Sequence, residues 1–379
     1  MLLSACQPTV TPESTLMREA RTDASAAMQL AKQRLASNEH QAALIWLQQA
    51  ALLGDSAALQ HALQLQQRQQ GRLATAIWLE QQLDLGTIEA SQLNTIQRTE
   101  LGLWPEPTVV HVAAYHHPQG CKLTLQPVVS QQAGVVRWQQ LLQQWQADAQ
   151  LSQLPVCFSA LVQINSTDLA CSEQRHTLLQ CRYQVLESLV QQGGFSQLLV
   201  IAGRGKASYN NGILQLPDNA SLALLRHEFM HVLGFIDEYG LNATAADEVC
   251  RPGRMHPNLV LEADVKQHQQ YWGLTQPLQL TAVETCQAAG RQAFRIIQAD
   301  NVMRYYELAL PQLYVELAQA ILQRSEHLMP VQYYYGYLAR QRQDWLNWQQ
   351  FMQLASAMGY SDAHQALKTV GDGTGPSAR

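Results

Sequence analysis

Along the chain the spacing of apolar positions changes its period, and each change predicts a different kind of element. From residue 22 to 104, apolar and alanine residues recur at helical spacing through AAMQLAKQRLA, AALIWLQQAALLG, SAALQHALQLQQ and ATAIWLEQQLDLG. Gly54 and Gly86 stand where those helices should stop. Trp104-Pro105-Glu106-Pro107 then breaks the helical pattern. Beyond it, TVVHVAAY (Thr108–Tyr115), PVCFSALVQI (Pro155–Ile164), SQLLVIAG (Ser196–Gly203) and NNGILQLP (Asn210–Pro217) predict strands. VVRWQQLLQQWQADAQ and LLQCRYQVLESLVQQ predict helices between them, and a longer helix is expected from Ser221. This alternation predicts an α/β sheet with crossover helices. Helical spacing returns from Pro311 to Leu367, and the residues after 368 carry no periodicity and read as disordered.

Composition changes this picture in two ways. With 47% hydrophobic residues, the 379-residue chain has enough apolar material for sizeable cores. Charged residues are only 15%, and glutamine takes up much of the shortfall. The balance of 25 basic against 30 acidic residues, with no long basic run, argues against a nucleic-acid partner held by phosphate contacts. No uninterrupted apolar run is long enough for an internal membrane span. Gly203-Arg204-Gly205-Lys206 lacks the spacing of a phosphate-binding loop and reads as a turn after a strand.

The candidate chemistry sits in the helix expected after Ser221. His227-Glu228-Phe229-Met230-His231 puts two imidazoles at i and i+4, on one helical face, where they can share one Zn²⁺. Glu228 lies beside them, placed to take a proton from a water. Gly234 follows three residues after His231, and Asp237 three residues after that. A glycine there lets the helix end abruptly through a positive φ, so that the chain turns back and offers Asp237 as a third ligand. Glu238, Glu248, Glu262 and His256 remain alternative third ligands.

H-E-x-x-H-x-x-G-x-x-D resembles the zinc-site motif of metzincin-type metallopeptidases, in the variant with aspartate as third ligand found in snapalysin-like enzymes. The trailing Asp-Glu-Tyr is also similar to the motif of IgA-peptidase-like metalloenzymes, where the spacing is one residue longer. Asn301-Val302-Met303-Arg304-Tyr305 resembles the Met-turn of the same family. The resemblance implies a metzincin-like α/β catalytic domain over 105–310, with a mixed sheet and a zinc helix. It makes Met303 the turn methionine and Tyr305 a catalytic tyrosine that touches the metal or steadies the oxyanion. It places an edge strand just before the zinc helix, here NNGILQLP, to hold an extended peptide by backbone pairing. The segment 240–300 becomes a loop-rich lobe beside the primed subsites. The activity implied is zinc-dependent endopeptidase, with Glu228 as general base. Two rivals stay open: a gluzincin-like aminopeptidase using Glu248 or Glu262, and an interaction protein with a structural zinc site.

The helical regions at both ends, 22–104 and 311–368, resemble tetratricopeptide and Sel-like repeats. Trp46 and Trp78 begin W-L-Q-Q-A-A-L-L-G and W-L-E-Q-Q-L-D-L-G, and FMQLASAMGYSDAHQAL from Phe351 lines up with the stretch from Trp46. Such repeats imply a protein partner. At the N-terminus, Leu3-Ser4-Ala5-Cys6 resembles a bacterial lipobox, which implies a lipid on Cys6 and a tether over residues 7–21. Gln7 after the cysteine fits sorting to the outer membrane, so the bacterial cell envelope is the expected location. The six other cysteines are an even number, as three disulfides in an oxidising compartment require. Cys171–Cys181 and Cys250–Cys286 are the local pairs expected.

Overall fold

The computed structural model describes residues 13–105, 112–261 and 264–371. The Cys6 anchor, the beginning of the tether, the first half of the strand expected at Thr108–Tyr115, the alternative ligand Glu262 and the tail from 372 lie outside the described residues. The fold is mixed α/β, with helices and a mixed sheet. The chain divides into two compact units: residues up to 107 with 165–173, and 108–164 with everything from 174 onward.

The first unit is helical: α1 (Glu13–Glu19), α2 (Ala24–Ala36), α3 (His40–Leu52), α4 (Ser56–Gln70), α5 (Arg72–Asp84) and α6 (Thr95–Leu101). Asp23, Asp55 and Asn94 cap α2, α4 and α6 by accepting hydrogen bonds from the first-turn amides, which supplies the partners those amides lack inside the helix. From α2 to α5 each helix packs against the next. Their shared core is alanine and leucine, including Ala27, Leu30, Leu59 and Leu79, with Trp46 and Trp78 half-buried against it. The segment 165–173 returns to this unit, where Arg72 donates to Glu173 and Thr167 donates to Glu80.

The second unit starts with β1 (Leu123–Val129), α7 (Gln132–Ala147), β2 (Val156–Phe158) and β3 (Val162–Gln163). After the short α8 (Ser166–Leu169) of the returning segment come α9 (Glu187–Gln192), β4 (Gln197–Ile201), β5 (Ser208–Asn210), β6 (Ile213–Leu216) and α10 (Leu222–Val232). The sheet runs β2-β1-β4-β6-β5, with β3 continuing along β1. Every pairing is parallel except β5 on β6. Trp145 of α7 meets Phe158 of β2 and Phe229 of α10 edge-on, at 5.2 and 5.0 Å between ring centres. This aromatic stack fixes α10 against the helix that covers the sheet.

The structure adds one strand that the sequence reading missed and corrects two of its expectations. The segment Leu123–Val129 forms β1, an interior strand of the sheet, although Pro127 and the mixed polarity of the run hid it as a strand. NNGILQLP does not form the edge: β6 is buried along its length between β4 and β5, and the edge is Ser208–Asn210. Ile213, Leu214 and Leu216 are buried on both faces of the strand, as an interior strand requires, and Gln215 is buried with them. Asn211 and Gly212, both at positive φ (52° and 78°), make the two-residue turn that returns β5 to β6. The helix expected across 178–192 shrinks to α9 and a 3₁₀ turn at Tyr183–Leu186.

The 240–300 region carries α11 (Ala243–Val249), β7 (Leu259–Leu261), α12 (Val265–Trp272), β8 (Thr281–Val283) and β9 (Ala293–Arg295), with a three-stranded antiparallel sheet ordered β7-β9-β8. Cys250 and Cys286 are bonded across it. A second disulfide, not singled out from the sequence, joins Cys121 to Cys157 of β2, and Cys171 and Cys181 are disulfide-bonded as well. The chain ends in α13 (Gln312–Leu322), α14 (Val331–Gln341), α15 (Trp345–Ala357) and α16 (Ser361–Gly371), within the same compact unit as the α/β sheet. The Val331 amide donates to Ser196, and the Gln197 side chain donates to Met329, so α14 begins against β4. Among the described residues no helix is long and apolar enough to cross a membrane.

Candidate metal centre

Helix α10 is built to start and stop at fixed points. Ser221 accepts a hydrogen bond from the Leu224 amide at its N-terminus. At the other end Gly234 adopts φ +83°, with its amide donating to His231 and the Phe235 amide donating to Met230. This pair of bonds is the Schellman arrangement, which satisfies the last carbonyls and reverses the chain. The reversal carries Asp237 back over the helix face that holds His227 and His231.

Three atoms converge there. Nε2 of His227 and Nε2 of His231 are 3.2 Å apart, and Oδ1 of Asp237 lies 3.4 and 3.3 Å from them. A tetrahedral zinc ion with ligand bonds of about 2.0–2.1 Å sets its ligand atoms about 3.3–3.4 Å apart, so the triangle has the size the ion demands. The imidazole tautomers agree. Each Nδ1 lies 2.8 Å from a backbone carbonyl, His227 on Val302 and His231 on Phe235. A carbonyl only accepts, so each Nδ1 carries a proton, and each ring when neutral turns its Nε2 lone pair toward Asp237. Oδ1 of Asp237 is buried without a hydrogen bond. An orphaned carboxylate oxygen facing two imidazole lone pairs is a costly arrangement unless a cation sits between them. In the metal-free chain a proton can take that place. Burial works against a charged His231, but hydrogen bonding and charge from Asp237 outweigh it and push its pKa up to about 9.

Glu228 sits beside this triangle and is only 6% exposed. Burial raises its pKa, against the pull of His231 and His227. Glu228 and the three donor residues border a cavity of about 380 Å³. One wall is the end of the sheet, Ser208 and Tyr209 of β5; another is apolar, with Phe235, Ile236, Leu241 and Val249.

The alternative third ligands are disposed of differently. Glu248 is exposed and paired with Arg251 and Arg254, and His256 is hydrogen-bonded to the Val249 carbonyl. Glu238 is fully buried and points away from the triangle. Its carboxylate accepts from Tyr314 of α13 at 2.6 Å, Asn258 at 3.0 Å and Asn301 at 2.6 Å. Its amide donates to the Met303 carbonyl. Burial raises its pKa while the three donors hold it down. Glu238 therefore ties the ligand loop to the 301–303 turn and to α13, a role the sequence motif concealed by placing it next to a ligand.

Met303 is fully buried, and its turn supplies both the Val302 carbonyl for His227 and the Met303 carbonyl for Glu238. Tyr305 does not reach the centre: it is 52% exposed, stacks under Arg304 and does not line the cavity. Tyr239 does line it, as Tyr209 does, and the Tyr239 hydroxyl donates to Oδ2 of Asp237 at 2.8 Å. Its place two residues after Asp237 is visible in the sequence, but only the loop conformation shows that it turns inward. A further His116–Cys121–Cys157 cluster offers no metal site, because both sulfurs are spent in a disulfide. Comparison of the chain with protein-family models, with curated proteins and with solved structures returns no match.

Proposed function

We propose that the chain is a zinc-dependent endopeptidase of metzincin type. The observation that carries the reading is the triangle of two imidazole nitrogens and one orphaned carboxylate oxygen, set beside a buried glutamate on an open cavity. The strand–helix–strand order ahead of α10, and the buried 301–303 turn bonded to His227, support the family resemblance.

When bound by His227, His231 and Asp237, Zn²⁺ would supply Lewis acidity to a water and to a substrate carbonyl. Glu228 takes the water's proton and returns it to the leaving amine. The low-polarity wall around Glu228 keeps its pKa above the ordinary carboxylate range, so that it is a competent donor in the second half of the reaction. The last strand of the sheet, β5, offers backbone groups to an extended peptide lying across the cavity. The apolar wall of Phe235, Ile236, Leu241 and Val249 would accept an apolar side chain of that peptide. The helical unit would dock a protein partner or substrate, and a lipid on Cys6 would hold the enzyme at the bacterial envelope.

A structural zinc site fills all four positions with protein donors. Here, among the described residues, only three such donors cluster, and Glu228 has no structural task in the triangle. The decisive test compares the wild-type chain with Glu228→Gln. Both should hold about one zinc per chain, and cleavage of an unfolded protein such as casein should fall by about 10²–10⁴-fold in the variant. Equal cleavage by both, or none by a fully metallated wild type, refutes the proposal.

A further inference from the structure

We propose that Tyr239 holds Asp237 to one-oxygen ligation and so keeps a coordination position open for water. The inference rests on the metal-centre reading above. An aspartate can give a metal one oxygen or two, and the second mode would consume the position that a hydrolytic site must leave free. In this centre the two oxygens of Asp237 have different surroundings. Oδ1 faces His227 and His231 and has no hydrogen bond, whereas Oδ2 accepts the Tyr239 hydroxyl at 2.8 Å.

The backbone that joins the pair is anchored at two carbonyls. The Asp237 carbonyl accepts from Thr285, and the Glu238 carbonyl accepts from Arg304. With the backbone pinned there, the carboxylate cannot roll to bring Oδ2 inward without breaking the tyrosine bond. Tyr239 also lines the cavity, so its hydroxyl is present where substrate enters. It is a positioning residue: it acts through Asp237. Partners of this kind that hydrogen-bond a metal ligand tune both affinity and geometry.

The test is the visible spectrum of the Co²⁺-loaded full chain, which reads coordination number directly and needs no turnover. Wild-type protein should show the intense bands of four-coordinate Co²⁺. Tyr239→Phe should still bind Co²⁺ but lose several-fold in intensity, as the freed Oδ2 joins the ion. Tyr305→Phe, which does not line the cavity, should match wild type. A Tyr239→Phe spectrum identical to wild type overturns the proposal, even if Co²⁺ affinity has dropped. Failure of the wild-type chain to take up Co²⁺ at all overturns the metal-centre reading itself.

Discussion

Replacing Glu238 by glutamine tests whether the buried carboxylate, rather than the zinc motif alone, sets the position of the ligand loop. Glutamine is isosteric and retains one carbonyl oxygen, which can still receive Tyr314 and Asn258 at the Oε1 position. At the other oxygen the new amide group meets the Asn301 amide, two donors at the 2.6 Å now occupied by a hydrogen bond. Asn301 cannot flip to accommodate it without losing the bond from the Met303 amide to its Oδ1. A lost charge-assisted bond and a stranded buried donor together cost about 3–5 kcal/mol. The burial that raises the Glu238 pKa shows that the charge itself is expensive to hold, and glutamine recovers part of that. A net loss of about 1–3 kcal/mol remains, and each kcal/mol shifts the melting temperature of a domain this size by about 2–4 °C. Thermal melts of the metal-free protein and competitive zinc titrations should show a lower Tm, weaker zinc, or both. Adding Asn301→Asp to Glu238→Gln should restore much of the loss, because the glutamine amide then donates to a carboxylate that still accepts from Met303. Wild-type stability and zinc affinity in Glu238→Gln would falsify the argument, as would a double variant worse than the single one.

Two further outcomes follow from the same geometry. Gly234→Ala places a side chain at φ +83°, where L residues pay about 1–2 kcal/mol, so the loop should shift and zinc dissociate faster; equal off-rates by chelator competition refute the link between that turn and Asp237. With its pKa at about 9 in the metal-free chain, His231 is charged at pH 7 and must lose its proton to bind zinc; calorimetric enthalpies at pH 7 should therefore depend on the buffer's ionisation heat, and the dependence should fade as pH rises past 9. Buffer-independent enthalpy at pH 7 contradicts it.

The parts of the centre that lie close together in the chain were legible in the sequence. His227, Glu228 and His231 share one helix, and the Gly234 reversal needs only the residue type that tolerates a positive φ. Met303 was singled out by resemblance, and it lies buried in the turn whose Val302 carbonyl meets His227. What escaped depends on contacts between distant segments. Glu238 meets Asn301 and Tyr314 across 63 and 76 positions, and nothing local distinguishes a buried glutamate from a spare ligand. Tyr239 and Tyr305 are equivalent as residues, and only the path of the loop turns one inward. The edge strand escaped because Ser-Tyr-Asn is too short to show a period, while Ile-Leu-Gln-Leu is buried along its length because it has neighbours on both sides.

The bond from Tyr314 to Glu238 gives the protein a timetable. Synthesis runs from the N-terminus, and the H-E-x-x-H helix is complete some eighty residues before the α13 tyrosine that steadies the loop bearing the third ligand. The nascent chain thus exposes two histidines and a glutamate before it can lock the aspartate beside them. A fragment ending at Leu310, the boundary suggested by sequence pattern, would be frozen at that immature stage. The C-terminal helices are in this sense the closing step of the centre's assembly, and a recombinant fragment carrying the centre has to extend through α13 to be finished.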